Sequence, residues 1–102
     1  MPEMTFSVRW PDGRVEHCYS PSLVMHDHLT ADTTYTVEDF LRRSTTALGV
    51  ASARVKEKFG FACTSAAATT DTITRSAAHY RADDLVEVVR MWPPLPATET
   101  PS

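Results

Sequence analysis

The chain has 102 residues and a mass of 11.3 kDa. Folding at this mass buries about 65% of the extended chain's surface, which supports one core but neither a second domain nor an enclosed pocket for a large cofactor. A net charge of −3 and a pI near 5.7 argue against a dedicated nucleic-acid binder, which carries a basic footprint.

The charge is uneven. Residues 36–60 hold five bases (Arg42, Arg43, Arg54, Lys56, Lys58) against three acids, and the rest of the chain holds five bases against ten acids. This reads as a solvated helix face with cations gathered near the helix C-terminus. The opening Met1-Pro2-Glu3-Met4 lacks the apolar region of a signal peptide, and no apolar run approaches the roughly 20 residues of a membrane span. A cytoplasmic protein with Cys18 and Cys63 reduced is the expectation.

Met4, Phe6, Val8 and Trp10 alternate with Thr5, Ser7 and Arg9, the period-two pattern of a half-buried strand. Pro11-Asp12-Gly13 then supplies the turn chemistry of a three-residue hairpin loop with a glycine bulge. The returning strand, residues 14–20, places Val15, His17 and Tyr19 on one face and Arg14, Glu16, Cys18 and Ser20 on the other. The first set reads as the apolar face, with His17 as a satisfied core histidine. Pro21 ends this strand. Residues 22–35 read as an irregular or partly extended connection lying against the sheet edge.

Thr36 and Asp39 have the spacing of a capping box, with Asp in place of Glu, and Tyr35 and Phe40 that of a hydrophobic staple. Val37, Phe40, Leu41, Leu48, Ala51, Val55 and Phe59 form an apolar stripe, so a helix is predicted over 37–59. Gly60 stops it, with Phe61 placed to fold back as in a Schellman ending. A second helix, capped by Thr64 or Ser65, carries Ala66, Thr70, Ile73, Ala77 and Tyr80 on a shallow apolar face. Asp83-Asp84 is a solvated break.

The last strand, residues 85–92, has apolar side chains on both faces: Val86, Val88 and Trp92 on one, Leu85, Val89 and Met91 on the other. Such a strand wants cover on both sides. The predicted fold is α+β, in the order β-β-α-α-β: a three-stranded antiparallel sheet with two helices packed on one face. Residues 1–92 form the single domain and 93–102 a Pro-rich disordered tail. The uncovered face and exposed edges predict a homodimer.

The candidate chemistry is sparse. His17-Cys18, His26, His28, Cys63 and His79 are the possible ligands, but no paired spacing of a structural zinc site exists, so no metal is expected. Cys63 sits at the predicted start of the second helix, where backbone N–H groups lower a thiol pKa. Catalysis there needs a base, and His26, His28 and His79 are the imidazoles free to serve. Three glycines cannot build a phosphate loop, and no cofactor is expected.

The opening Met-Pro-Glu-Met-Thr-Phe-Ser-Val-Arg-Trp-Pro-Asp-Gly, the stretch Cys18-Tyr-Ser-Pro-Ser-Leu-Val and the block Arg54-Val-Lys-Glu-Lys-Phe-Gly-Phe-Ala-Cys63 resemble a small bacterial family of nitrogen starvation response proteins. Members are typically encoded beside a nitrilase, a radical SAM protein, an acetyltransferase, a flavoprotein and a relative of aminoimidazole ribotide synthase. The resemblance spans residues 1 to about 92 and implies a context in nitrogen assimilation or a nitrogen-containing metabolite; it assigns no catalytic residues. The reading is a small non-catalytic accessory or binding protein, dimeric or partnered with enzymes of the same gene cluster. The alternative is a small enzyme or ligand carrier using Cys63 with a histidine, at a dimer interface.

Overall fold

The computed structural model describes residues 3–60 and 64–92. The first two strands, β1 (Met4–Arg9) and β2 (Val15–Ser20), form the predicted hairpin. Trp10 N–H donates to the Arg14 carbonyl at 2.8 Å, and Gly13 N–H to the Trp10 carbonyl at 2.8 Å. Gly13 sits at φ 92, a left-handed conformation that glycine adopts without a Cβ penalty. Asp12 Oδ1 accepts from Arg14 N–H at 3.0 Å, which completes the loop.

That closure sets the register. Phe6 faces Cys18, Met4 faces Ser20 and Val8 faces Glu16. Directly opposed residues share a face, so the buried Met4, Phe6 and Val8 carry Cys18 and Ser20 into the core with them. The face assignment of β2 is therefore the reverse of the predicted one. His17 is exposed, and its Nδ1 shares a 2.6 Å hydrogen bond with Ser7 Oγ. Burial pushes the Cys18 thiol up to about 12.

The sheet has four antiparallel strands, not three, in the order β2-β1-β4-β3. The extra strand, β3 (Thr33–Thr36), comes out of the supposed connection. A 3₁₀ turn over Leu23–Asp27, capped by Ser22 Oγ on Val24 N–H, precedes it and buries Val24 and Met25. The chain then passes Asp32, whose φ of 62 bends it onto the edge of β4 (Leu85–Trp92). The order is thus β-β-3₁₀-β-α-α-β.

The central strand β4 also corrects a prediction. Val8 faces Val88 but Ser7 faces Arg90, so Val89 is the extra residue of a β-bulge. The bulge resets the alternation. Val86, Val88 and Met91 all point into the core, while Leu85 and Trp92 are 58% and 56% exposed. The strand only looks two-sided when read with an unbroken period of two.

The helix α1 (Val37–Phe59) spans the predicted range. Thr36 closes β3 and caps α1 at once, its Oγ1 accepting from Asp39 N–H at 3.1 Å. The Asp39 carboxylate pairs with Arg43 Nε at 2.9 Å and with Arg42. Arg43, then Arg42, hold this carboxyl below its usual range. Gly60 ends the helix at φ 82 and donates to the Lys56 carbonyl at 2.7 Å. Phe61 and the predicted tail lie outside the described residues.

The second helix, α2 (Thr64–Ala77), buries Ala66, Thr69, Ile73, Ser76 and Ala77. It packs along α1 and over β2, while α1 lies over β3 and β4. One cluster joins Met4, Phe6, Val8, Val86 and Val88 to Phe40, Leu48 and Ile73. Each fully buried large side chain contributes about 1.5–3 kcal/mol. Both helices thus cover the same face of the sheet.

Candidate functional site

An open cleft of about 610 Å³ lies where the β1–β2 hairpin meets the C-terminal half of α2. Its position follows from Trp10. This buried indole closes the core at the end of β1, meeting Phe40 edge-on at 5.6 Å and stacking on Tyr80 at 5.5 Å. Its Nε1–H donates to Glu16 Oε1 at 2.9 Å. The same oxygen accepts from Ser76 Oγ at 2.8 Å, a contact that ties β2 to α2. Arg14 Nη2 donates to Ser76 Oγ at 3.2 Å and lies 4.0 Å from Glu16.

The helix contributes a polar stripe. Thr72, Arg75 and Ser76 sit three and four residues apart on α2, and His79 follows in the turn that ends it. That turn is tightened by His79 N–H on the Ser76 carbonyl and Tyr80 N–H on the Ala77 carbonyl, each at 3.1 Å. The Tyr80 hydroxyl bonds Arg14 and, with Glu16 and Asp12, holds that guanidinium above its ordinary pKa. Desolvation chiefly raises the Tyr80 phenol, and the Arg14 N–H chiefly lowers the Asp12 carboxyl. Arg75 pairs with Asp71 at 2.7 Å.

Of the candidate ligands and bases read from the sequence, His79 is the one among the described residues that lines this cleft. His26 belongs to the 3₁₀ turn and His28 caps its C-terminus. An extended segment would aim them the same way; a 3₁₀ turn, with three residues per turn, does not. The His28 carbonyl is held by Arg43 Nη1 at 3.1 Å. Cys63 lies outside the described residues. Among the described residues, no three His, Cys, Asp or Glu side chains cluster as metal ligands.

Sequence reasoning missed Arg14, Glu16 and Ser76. The signals were present: a polar i, i+3, i+4 run on the second helix and two charges alternating along the second strand. What the sequence lacked was the register that sets them face to face. The resulting chemistry is that of holding. Ser76 is 7% exposed, and its hydroxyl donates to a carboxylate that already serves Trp10. Ser7 and His17 do pair, but on a solvent-exposed sheet face.

That outer face is the second feature of note. It is crossed by the rows Tyr19–Thr5–Trp92 and His17–Ser7–Arg90, followed by Val15, Arg9 and Glu87. Arg9 and Glu87 pair at 2.8 Å, and Arg90 lies over the Trp92 ring at 5.0 Å. Val15 is 45% exposed. Among the described residues, no helix covers this face, and none is long and apolar enough to cross a membrane.

Fold and site together define a small α+β protein with an open-faced antiparallel sheet and a polar cleft at one hairpin. The chain belongs to the family of the nitrogen starvation-induced protein NitG, whose profile matches residues 5–91. No curated protein and no solved structure matches it.

Proposed function

We propose that this nitrogen starvation-induced chain is a non-catalytic, cytoplasmic accessory protein of a nitrilase-linked pathway for nitrogen assimilation or a nitrogen-containing metabolite. It works as a homodimer joined through the outer face of the sheet. The observation that carries this reading is the exposure of Leu85, Trp92 and Val15 on a face that the two helices leave open. Large apolar side chains left exposed on an uncovered sheet face favour an interaction there. The central Arg9–Glu87 pair gives the face charges of both signs, so a second copy meets no uniform repulsion.

Light scattering coupled to gel filtration tests the dimer at tens of micromolar, in line with a micromolar association. A dimer that L85S/W92S converts to a folded monomer supports the reading. A monomeric parent protein overturns it. Co-purification with the nitrilase and its neighbours then tests the pathway; failure to associate with every one of them removes that part of the proposal.

A further inference from the structure

We propose that residues 93–96 of one copy dock on the outer sheet face of a second copy, in the groove between Tyr19 and Trp92. This rests on the dimer reading above and names the segment that joins the two copies. The groove, about 440 Å³, is lined by Glu3, Met4, Thr5, Tyr19 and Trp92. Tyr19 and Trp92 flank Thr5 in one row across β2, β1 and β4. Two strand spacings set them about 10 Å apart, so they wall a channel that runs along β1 over the small Thr5. The Trp92 indole is 56% exposed. Glu3 is the one charged residue in this lining.

The occupant follows from where the chain goes next. Pro93-Pro94-Leu95-Pro96 comes directly after Trp92, the last residue of β4. Proline fixes its own φ and confines the residue before it to extended backbone. Trp92, Pro93 and Leu95 each precede a proline, so the sequence favours a stiff polyproline II segment. Such a segment continues the direction of β4 and does not double back onto its own groove. Stacked sheets keep their strands within about 30° of each other, so it runs along the channel of a facing copy. Its four residues span about 12 Å, enough to cross the gap of about 10 Å between stacked sheets. Three residues per turn let it meet both aromatic walls at once, the way Pro-x-x-Pro segments fill aromatic-lined grooves. Residues 93–98 carry no charge, which suits the lining. Twofold symmetry makes the exchange reciprocal.

The decisive variant ends at Trp92, because it keeps all of β4 and every residue that lines the groove. Light scattering over a dilution series compares it with the full chain. Truncation weakens the dimer about tenfold or more, the scale of losing a few buried apolar groups. P94A/P96A in the full chain acts in the same direction. Added salt leaves the difference unchanged, since the segment is uncharged.

A synthetic peptide of residues 93–102, titrated into the ¹⁵N-labelled truncated chain, gives saturable amide shifts centred on residues 3–5, 19 and 92. Non-saturating shifts overturn the proposal. A truncated chain that dimerises as tightly as the full one also overturns it, and leaves the dimer reading standing. A dimer that tightens on truncation overturns it too, and places the segment on its own copy. A monomeric full chain removes the dimer reading and the exchange with it.

Discussion

The two faces of the sheet come from the same strands and differ in nearly everything else. Under the helices, Met4, Phe6, Val8, Val86 and Val88 pack with Phe40, Leu48 and Ile73, at or near zero exposure. On the outer face, Arg9 pairs with Glu87, Ser7 with His17 and Arg90 with Trp92. Close packing in the interior constrains volume to within about a methylene. The outer face is held by surface pairs worth about 0–1 kcal/mol each. One face is thus committed to stability, while the other is free to carry an interface. The cleft combines the two conditions, with a half-buried Glu16 and a buried Ser76 at its base and the exposed Arg14 and Arg75 at its rim.

The contrast is broken most directly by paired truncations. Phe6→Ala should cost about 3–5 kcal/mol, a cavity in the core. In the monomer, Trp92→Ala should cost under about 1 kcal/mol, the scale of an exposed cation–π contact. Urea unfolding of both variants measures this, and equal losses would erase the distinction between faces.

Deleting Val89 is the sharper experiment. Removing the bulged residue leaves Val88 and Met91 in the core with Arg90 between them, so circular dichroism should show a native fold. The thermal transition should correspond to a loss of no more than about 1 kcal/mol, the size of a single cross-strand interaction. Unfolding of this variant would show that residues 85–92 run without a bulge.

The smallest effect concerns Cys18. Burial raises its thiol from 9.0 to about 12, so the folded state holds this proton more tightly than the unfolded state. Its contribution is complete below about pH 9 and is lost as pH rises toward 12. Site-resolved alkylation of Cys18 should stay negligible and unchanged between pH 6 and 8, becoming fast only in urea. Rapid labelling of the native protein at pH 8 would take Cys18 out of the core.

Elements with strong local punctuation were legible. The Thr36 cap, the apolar stripe and Gly60 give α1 its observed limits. The hairpin was legible too, but its faces were misjudged because Val15 and Tyr19 outweigh Cys18 and Ser20 in hydrophobicity. The three-residue loop already contained the answer: closing at Trp10 and Arg14 forces Cys18 opposite Phe6. The strand β3 was hidden because Thr33-Thr34-Tyr35-Thr36 has no apolar alternation and runs straight into a helix cap. A bulge such as that at Val89 leaves no compositional mark. In the cleft, only His79 had been read as a candidate ligand or base, since Glu16 and Ser76 meet across 60 residues of chain.

The pairing of β1 with β4 governs the order of assembly. Arg9 and Glu87 touch across 78 residues, so the middle of the sheet closes one of the longest loops in the protein. During synthesis the hairpin and both helices emerge before β4 does. Until then β1 and β3 each present an unsatisfied edge, and Phe6 and Val8 lack their cover from Val86 and Val88. Topologies rich in such distant pairings fold slowly, with sticky edges exposed in the meantime. The last strand is therefore where the slowest step of folding is expected.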